Sequence, residues 1–281
     1  MEEVTTITGQ RRRSHAARRA DRGRALTRWP DGIALAVVYA VSAASLAGFA
    51  TFALHPELLN GVPGAAQVYG RMFVLAPRAQ IVLAFAALYV LSLTSELAGT
   101  TVGLPFGPYH YTDGLGAKLF GHVPVLIPLS WFFMALPSYA VALRRYPERA
   151  HAGRRIVVGS LILLSWDLAL DPAMSLVTKY WIWGTEGVYY GMPLLNLAGW
   201  YVTGLALMAA LALLRTDAWV AELPVDWLLA FYGANLLLPL GMSVAAGLWG
   251  AVAATVAALV ACWLCTRVPR TAPAPRRPVG A

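Results

Sequence analysis

Charged residues are scarce in this chain: they make up 13% of its 281 residues, while 58% are hydrophobic. A soluble domain carries about 25% charged residues, so a water-soluble fold of this length could not hide the apolar surface that this composition creates. Cysteine is nearly missing too. Cys262 and Cys265 form a C-x-x-C inside an apolar stretch. There they read as small apolar fillers rather than a redox or metal pair, and they imply no disulfide framework. H-E-x-x-H, paired C-x-x-C, P-loop, G-x-G-x-x-G and G-x-S-x-G signatures do not occur. The five histidines, His15, His55, His110, His122 and His151, are scattered. The chemistry is therefore expected to need no cofactor and no metal. The N-terminal segment is long and arginine-rich, A-x-A cleavage chemistry is not obvious there, and the apolar stretch after it is long enough to span a bilayer, so it is not read as a signal peptide.

Positive charge is present, in blocks. Eight arginines lie between Arg11 and Arg28, five between Arg144 and Arg155, and four between Arg267 and Arg277. Basic blocks beside apolar spans report membrane orientation. Nucleic-acid binding is the other reading of a basic arm, but no stacking-aromatic motif accompanies these arginines, so no nucleic-acid partner is expected.

Seven stretches are apolar and long enough to span as helices, at about 32–54, 79–98, 124–143, 156–177, 193–214, 225–241 and 244–265. None has the alternation of a membrane barrel. Three spans between two basic blocks cannot return the chain to the same side. A weak span at about 57–77, containing Arg71 and several glycines, resolves the conflict. The expectation is an all-α polytopic bundle of seven or eight spans, eight favoured, with both termini cytoplasmic. Residues 1–30 form a basic, disordered arm, 31–266 the transmembrane catalytic domain, and 267–281 a disordered Pro/Arg-rich tail.

Two loops stand apart, at 99–123 and 178–192. Both are rich in Gly, Pro, Tyr and Trp, and in the eight-span topology both lie on the outer side. Near that rim are the buried acids. Asp167 lies near the middle of its span, where a charge costs about 2.5–3.5 kcal/mol on insertion scales. Asp171 follows four residues later on the same helical face. Two carboxyls this close in low dielectric cannot both ionise cheaply, so one is expected to hold a proton. Pro172 then removes a backbone donor and predicts a kink or helix end. Glu96 is a third acid near the end of its span. Structural readings compete: an Asp can hold a helix contact, Glu96 can be a solvated interfacial carboxylate, and Asn196 can orient an acid or cap a helix. His110, between Tyr109 and Tyr111, can be catalytic or a plain polar contact. Asp113, before Gly114, reads as a turn residue.

Three strings carry a resemblance: Glu96-LAGTTVGLPFGPYHYTDGLG, Trp166-DLALDPAM, and WIWGTEGVYYGMPLLNLAGW ending at Trp200. Together, across about residues 60–240, they resemble the membrane carotenoid biosynthesis protein family that contains the acyclic carotenoid 1,2-hydratases (CruF-type). The resemblance implies a multi-span enzyme that adds water to the terminal 1,2 double bond of an acyclic carotenoid without an organic cofactor. Its implied setting is the plasma membrane, with the carotenoid, water and lipid as partners and other carotenoid-pathway enzymes as associates.

The catalytic residues read from the chemistry are Asp167, Asp171 and Glu96. One Asp would protonate the alkene, and Glu96 or the other Asp would position water. The intervening tertiary cation suits aromatic faces, and Trp166, Trp181, Trp183, Tyr189, Tyr190 and Trp200 are the candidates, unless they form an ordinary interfacial belt. Tyr109, His110, Tyr111 and Asn196 complete the expected substrate-binding set. Three other readings remain open: a carotenoid cyclase or isomerase using the same acid, a prenyltransferase reading of the D-x-x-x-D, and a proton-coupled transporter. The prenyltransferase would need a second acidic cluster for magnesium. The transporter would commonly show an internal repeat, and none is visible.

Overall fold

A computed structural model describes residues 78–266. The expected arm, the spans at 32–54 and 57–77, and the tail from residue 267 lie outside the described residues. Within them the chain is a helical bundle of α1 (Arg78–Val102), α2 (Leu126–Arg145), α3 (Ala152–Pro172), α4 (Leu194–Leu213), the short α5 (Asp217–Ala221), α6 (Val225–Ala245) and α7 (Trp249–Thr266). Six helices among the described residues are long and apolar enough to cross a membrane. They match, one for one, the expected spans that begin at residue 79 and beyond.

On α1 the residues Ile81, Ala84, Leu88, Ser92, Glu96 and Gly99 are buried at helical spacing. Val82, Leu83 and Val90 cover the exposed flank. The buried stripe carries Glu96 inward, although a carboxylate would otherwise favour the helix surface. The helix runs past residue 98 to Val102, and its threonines place their hydroxyls on the helix's own backbone. Thr100 and Thr101 donate their hydroxyls to the carbonyls of Glu96 (2.9 Å) and Leu97 (2.5 Å). Gly103, at φ +77°, then closes the helix with its N–H on the Gly99 carbonyl.

Helix α3 is the centre of the bundle and packs against α2, α4, α6 and α7. Small residues let α4 approach it closely. A Cβ on Gly159 would sit 2.9 Å from Met208 Sδ, and one on Gly204 3.3 Å from Ser160 Cβ. Asp167 and Asp171 are therefore interior because their helix is. Beyond Pro172 the chain does not stop: a π turn spans Ala173–Val177, a common response where a proline interrupts the hydrogen-bond ladder.

The all-helical expectation misses two small antiparallel sheets. Strand β1 (Tyr109–Tyr111) pairs with β4 (Trp181–Trp183), and β2 (Lys118–Leu119) with β3 (Val123–Pro124). The first pairing joins the two Gly- and aromatic-rich loops that follow α1 and α3. At the opposite end of the bundle, Arg155 differs from the rest of its basic block. It is buried, paired with Asp217 at 2.8 Å, and also donates to the Tyr146 carbonyl. Tyr139 donates to the other Asp217 oxygen at 2.6 Å.

Candidate active site

Strand alternation builds one wall of the site. In β1 the side chains of Tyr109 and Tyr111 are buried while His110 is exposed. In β4 Trp181 and Trp183 lie inward of the exposed Ile182. The register sets Tyr109 opposite Trp183 and Tyr111 opposite Trp181, and the ring centroids of these pairs lie 5.4 and 5.8 Å apart. A period-two strand thus turns four aromatic rings to one side.

That side meets Glu96, which is buried and accepts three hydrogen bonds. Both tyrosine hydroxyls donate to Oε2, Tyr111 at 2.7 Å, and the Trp131 indole donates to Oε1 at 2.9 Å. Burial, then the Glu96 charge, pushes the hydroxyls of Tyr109 and Tyr111 well above the usual tyrosine range. They therefore remain protonated donors at any ordinary pH. Lys118 secures this strand from outside by donating to the Tyr111 carbonyl and bridging to Asp113 at 2.7 Å. The same lysine holds the Asp113 carboxyl below the usual range.

The two aspartates of α3 have a different environment. They are buried and interact with each other, and Asn196 Nδ2 donates to Oδ2 of both, at 3.3 Å for Asp167. The Trp181 side chain also hydrogen-bonds Asp171. Oδ1 of Asp167 is buried without a partner among the described residues. Among the described residues, three donors thus converge on the two oxygens of Glu96, whereas the four oxygens of the aspartate pair have two outside donors, Asn196 and Trp181, besides the hydrogen bond between the two carboxyls themselves.

Glu96 and Asp171 face one small cavity, walled by Tyr109, Tyr111, Trp131, Trp181, Trp183, Asn196 and Trp200. Trp131 stacks on Trp200 with centroids 4.0 Å apart. Trp183 Nε1 is buried without a partner among the described residues. The remaining expected residues are elsewhere. His110 points outward, Tyr189 donates to the Leu168 carbonyl at 2.8 Å, and Tyr190 packs at Gly250. Trp166 touches Trp200 edge-on and lines a neighbouring cleft instead.

Trp131 and Phe106 are site residues that the sequence reading missed. Trp131 sits within an unbroken apolar helix, where nothing marks it. Phe106 is packed against two glycines that do not flank it in sequence: Cβ atoms on Gly99 and Gly199 would each come within 2.8 Å of its ring.

Over 157 residues the chain is 31% identical to a bisanhydrobacterioruberin hydratase from Haloarcula japonica. The match covers 56% of this chain and 49% of that protein, so it spans about half of the relative's length. No solved structure matches. The family model for carotenoid biosynthesis proteins matches residues 59–262, which contain every wall of the acid cavity, and the chain therefore belongs to the carotenoid biosynthesis protein family.

Proposed function

We propose that this protein hydrates the terminal 1,2 double bond of an acyclic carotenoid, giving a tertiary alcohol without a cofactor. The observation that carries the reading is the unequal supply of donors to acids facing one aromatic cavity. Glu96 is surrounded by donors, so it is built to accept. The aspartate pair is short of donors, and a carboxyl short of donors satisfies itself by carrying a proton. The similarity to a hydratase points the same way.

Asp171, which faces the cavity, delivers the proton to C2, and Asp167 behind it shares the remaining charge. The C–C π bond breaks to form the C2–H bond, leaving a tertiary cation at C1. The faces of Trp131, Trp200 and Trp183 stabilise it by about 2 kcal/mol or more where desolvated. Water held between Trp183 Nε1 and Glu96 attacks C1, and its proton passes to Glu96. Transfer of that proton back to the aspartate pair completes the cycle. In sum, one alkene and one water give one alcohol. The setting is a cell membrane, with the polyene in the lipid and water reaching the rim where the loops meet.

The test is pigment analysis in a bacterial host that accumulates lycopene. The expected result is a pigment heavier by one water, formed by wild type and lost in Asp171→Asn. A pigment altered without added mass would favour a cyclase or isomerase. Unchanged lycopene, and unchanged longer acyclic carotenoids, beside well-expressed protein would overturn the proposal.

A further inference from the structure

Beside the acid cavity lies a second, larger space between α2, α3 and α6. Its walls are apolar, with Leu115, Leu126, Met174, Ala234 and Leu238 among them, and polar groups are few. The two spaces are continuous in their walls, since Ile127, Ser130, Leu170 and Trp181 line both. On α3 the division falls between successive residues: Leu170 borders both spaces, Asp171 faces the acid cavity, and Met174 on the π turn faces only the larger cleft. An apolar cleft walled by three membrane-spanning helices and sharing part of its wall with the acid cavity fits a long hydrocarbon whose reactive end must reach that acid.

We propose that this cleft is the binding channel for the polyene chain, entered sideways from the lipid along α6, with Ala234 and Leu238 governing access. This rests on the hydratase reading only for the identity of the reacting end. The occupant is a linear, all-carbon polyene, because the lining is dominated by apolar side chains; of its few polar groups, Asn235 Nδ2 donates to the Phe231 carbonyl and Ser130 to that of Ile127. The acid cavity holds only the terminal isoprene unit, and the chain beyond the cleft lies in lipid.

The experiment uses the full chain carrying Asp171→Asn, which stops turnover, expressed in lycopene-producing membranes and purified in mild detergent. The readout is lycopene retained per protein, from its visible absorption. Ala234→Trp is expected to cut retention about tenfold or more, the scale of forcing a ring into an occupied apolar site. Leu237→Trp, an exposed neighbour on α6 that does not line the cleft, is the control for bulk and should leave retention unchanged. Equal retention in Ala234→Trp and Leu237→Trp would overturn the channel. Retention that depends on Ala234, together with a wild type that adds no water, would keep the channel and overturn the hydratase reading.

Discussion

Replacing Trp131 by Phe should slow the reaction more than replacing either tyrosine of the Glu96 cage. Trp131 is the donor to Oε1, whereas Tyr109 and Tyr111 share Oε2. Among the described residues, losing Trp131 leaves one oxygen of a buried carboxyl without a donor, while losing one tyrosine leaves a donor behind on the same atom. A hydrogen bond to a charged group is worth about 1.5–3 kcal/mol. At about 1.4 kcal/mol per factor of ten, Trp131→Phe should lower the rate about 10- to 100-fold. Tyr111→Phe alone should cost less than about tenfold, and the Tyr109→Phe/Tyr111→Phe pair more than the sum of its singles, because Oε2 loses its last donor only then. The assay is initial pigment conversion in isolated membranes, with protein quantified in each preparation. Trp131→Phe keeps a ring to face Trp200 but lacks the donor, whereas Trp131→Met lacks both; both should be slow. Wild-type rates in Trp131→Phe and in the double tyrosine variant would refute a role for the cage.

Other outcomes follow from the same geometry. Asn196→Leu should abolish conversion while the protein stays in the membrane, because both aspartates lose their shared donor; retained activity would remove Asn196 from the site. Gly199→Ala should cost about 1–3 kcal/mol of stability and lower activity, since its Cβ would meet the Pro105 carbonyl and the Phe106 ring at 2.7 Å; a detergent melting curve and the pigment assay check both. Asp217→Ala should destabilise by roughly 3 kcal/mol, leaving Arg155 buried without its counter-charge, and should not change the product. Tyr109 and Tyr111 have hydroxyls raised above the unfolded value near 10. Their contribution to stability is thus complete below about pH 10 and is lost as pH rises above it, because the unfolded chain ionises first. Melting temperature against pH should fall more steeply above about pH 10 in wild type than in the double Phe variant.

The described helices were legible in sequence because a bilayer core demands about twenty apolar residues per span, and that constraint acts locally. The shared face of Asp167 and Asp171 was legible for the same reason: spacing of four fixes it wherever the helix goes. The true length of α1 was not, because Thr100 and Thr101 look polar in composition yet place their hydroxyls on the helix's own backbone.

Tertiary structure decided what surrounds the acids. Glu96 is caged because β1, α1 and α2 meet, and Trp131 carries no mark that distinguishes it from an ordinary apolar helix residue. The inward turn of Tyr109 and Tyr111, and the outward turn of His110 between them, depends on a three-residue strand whose partner lies about seventy residues away. The contrast between an acid rich in donors and a pair short of them is a count of neighbours in space. Sequence supplied the carboxyls and their spacing; the fold alone determined which donors reach each oxygen.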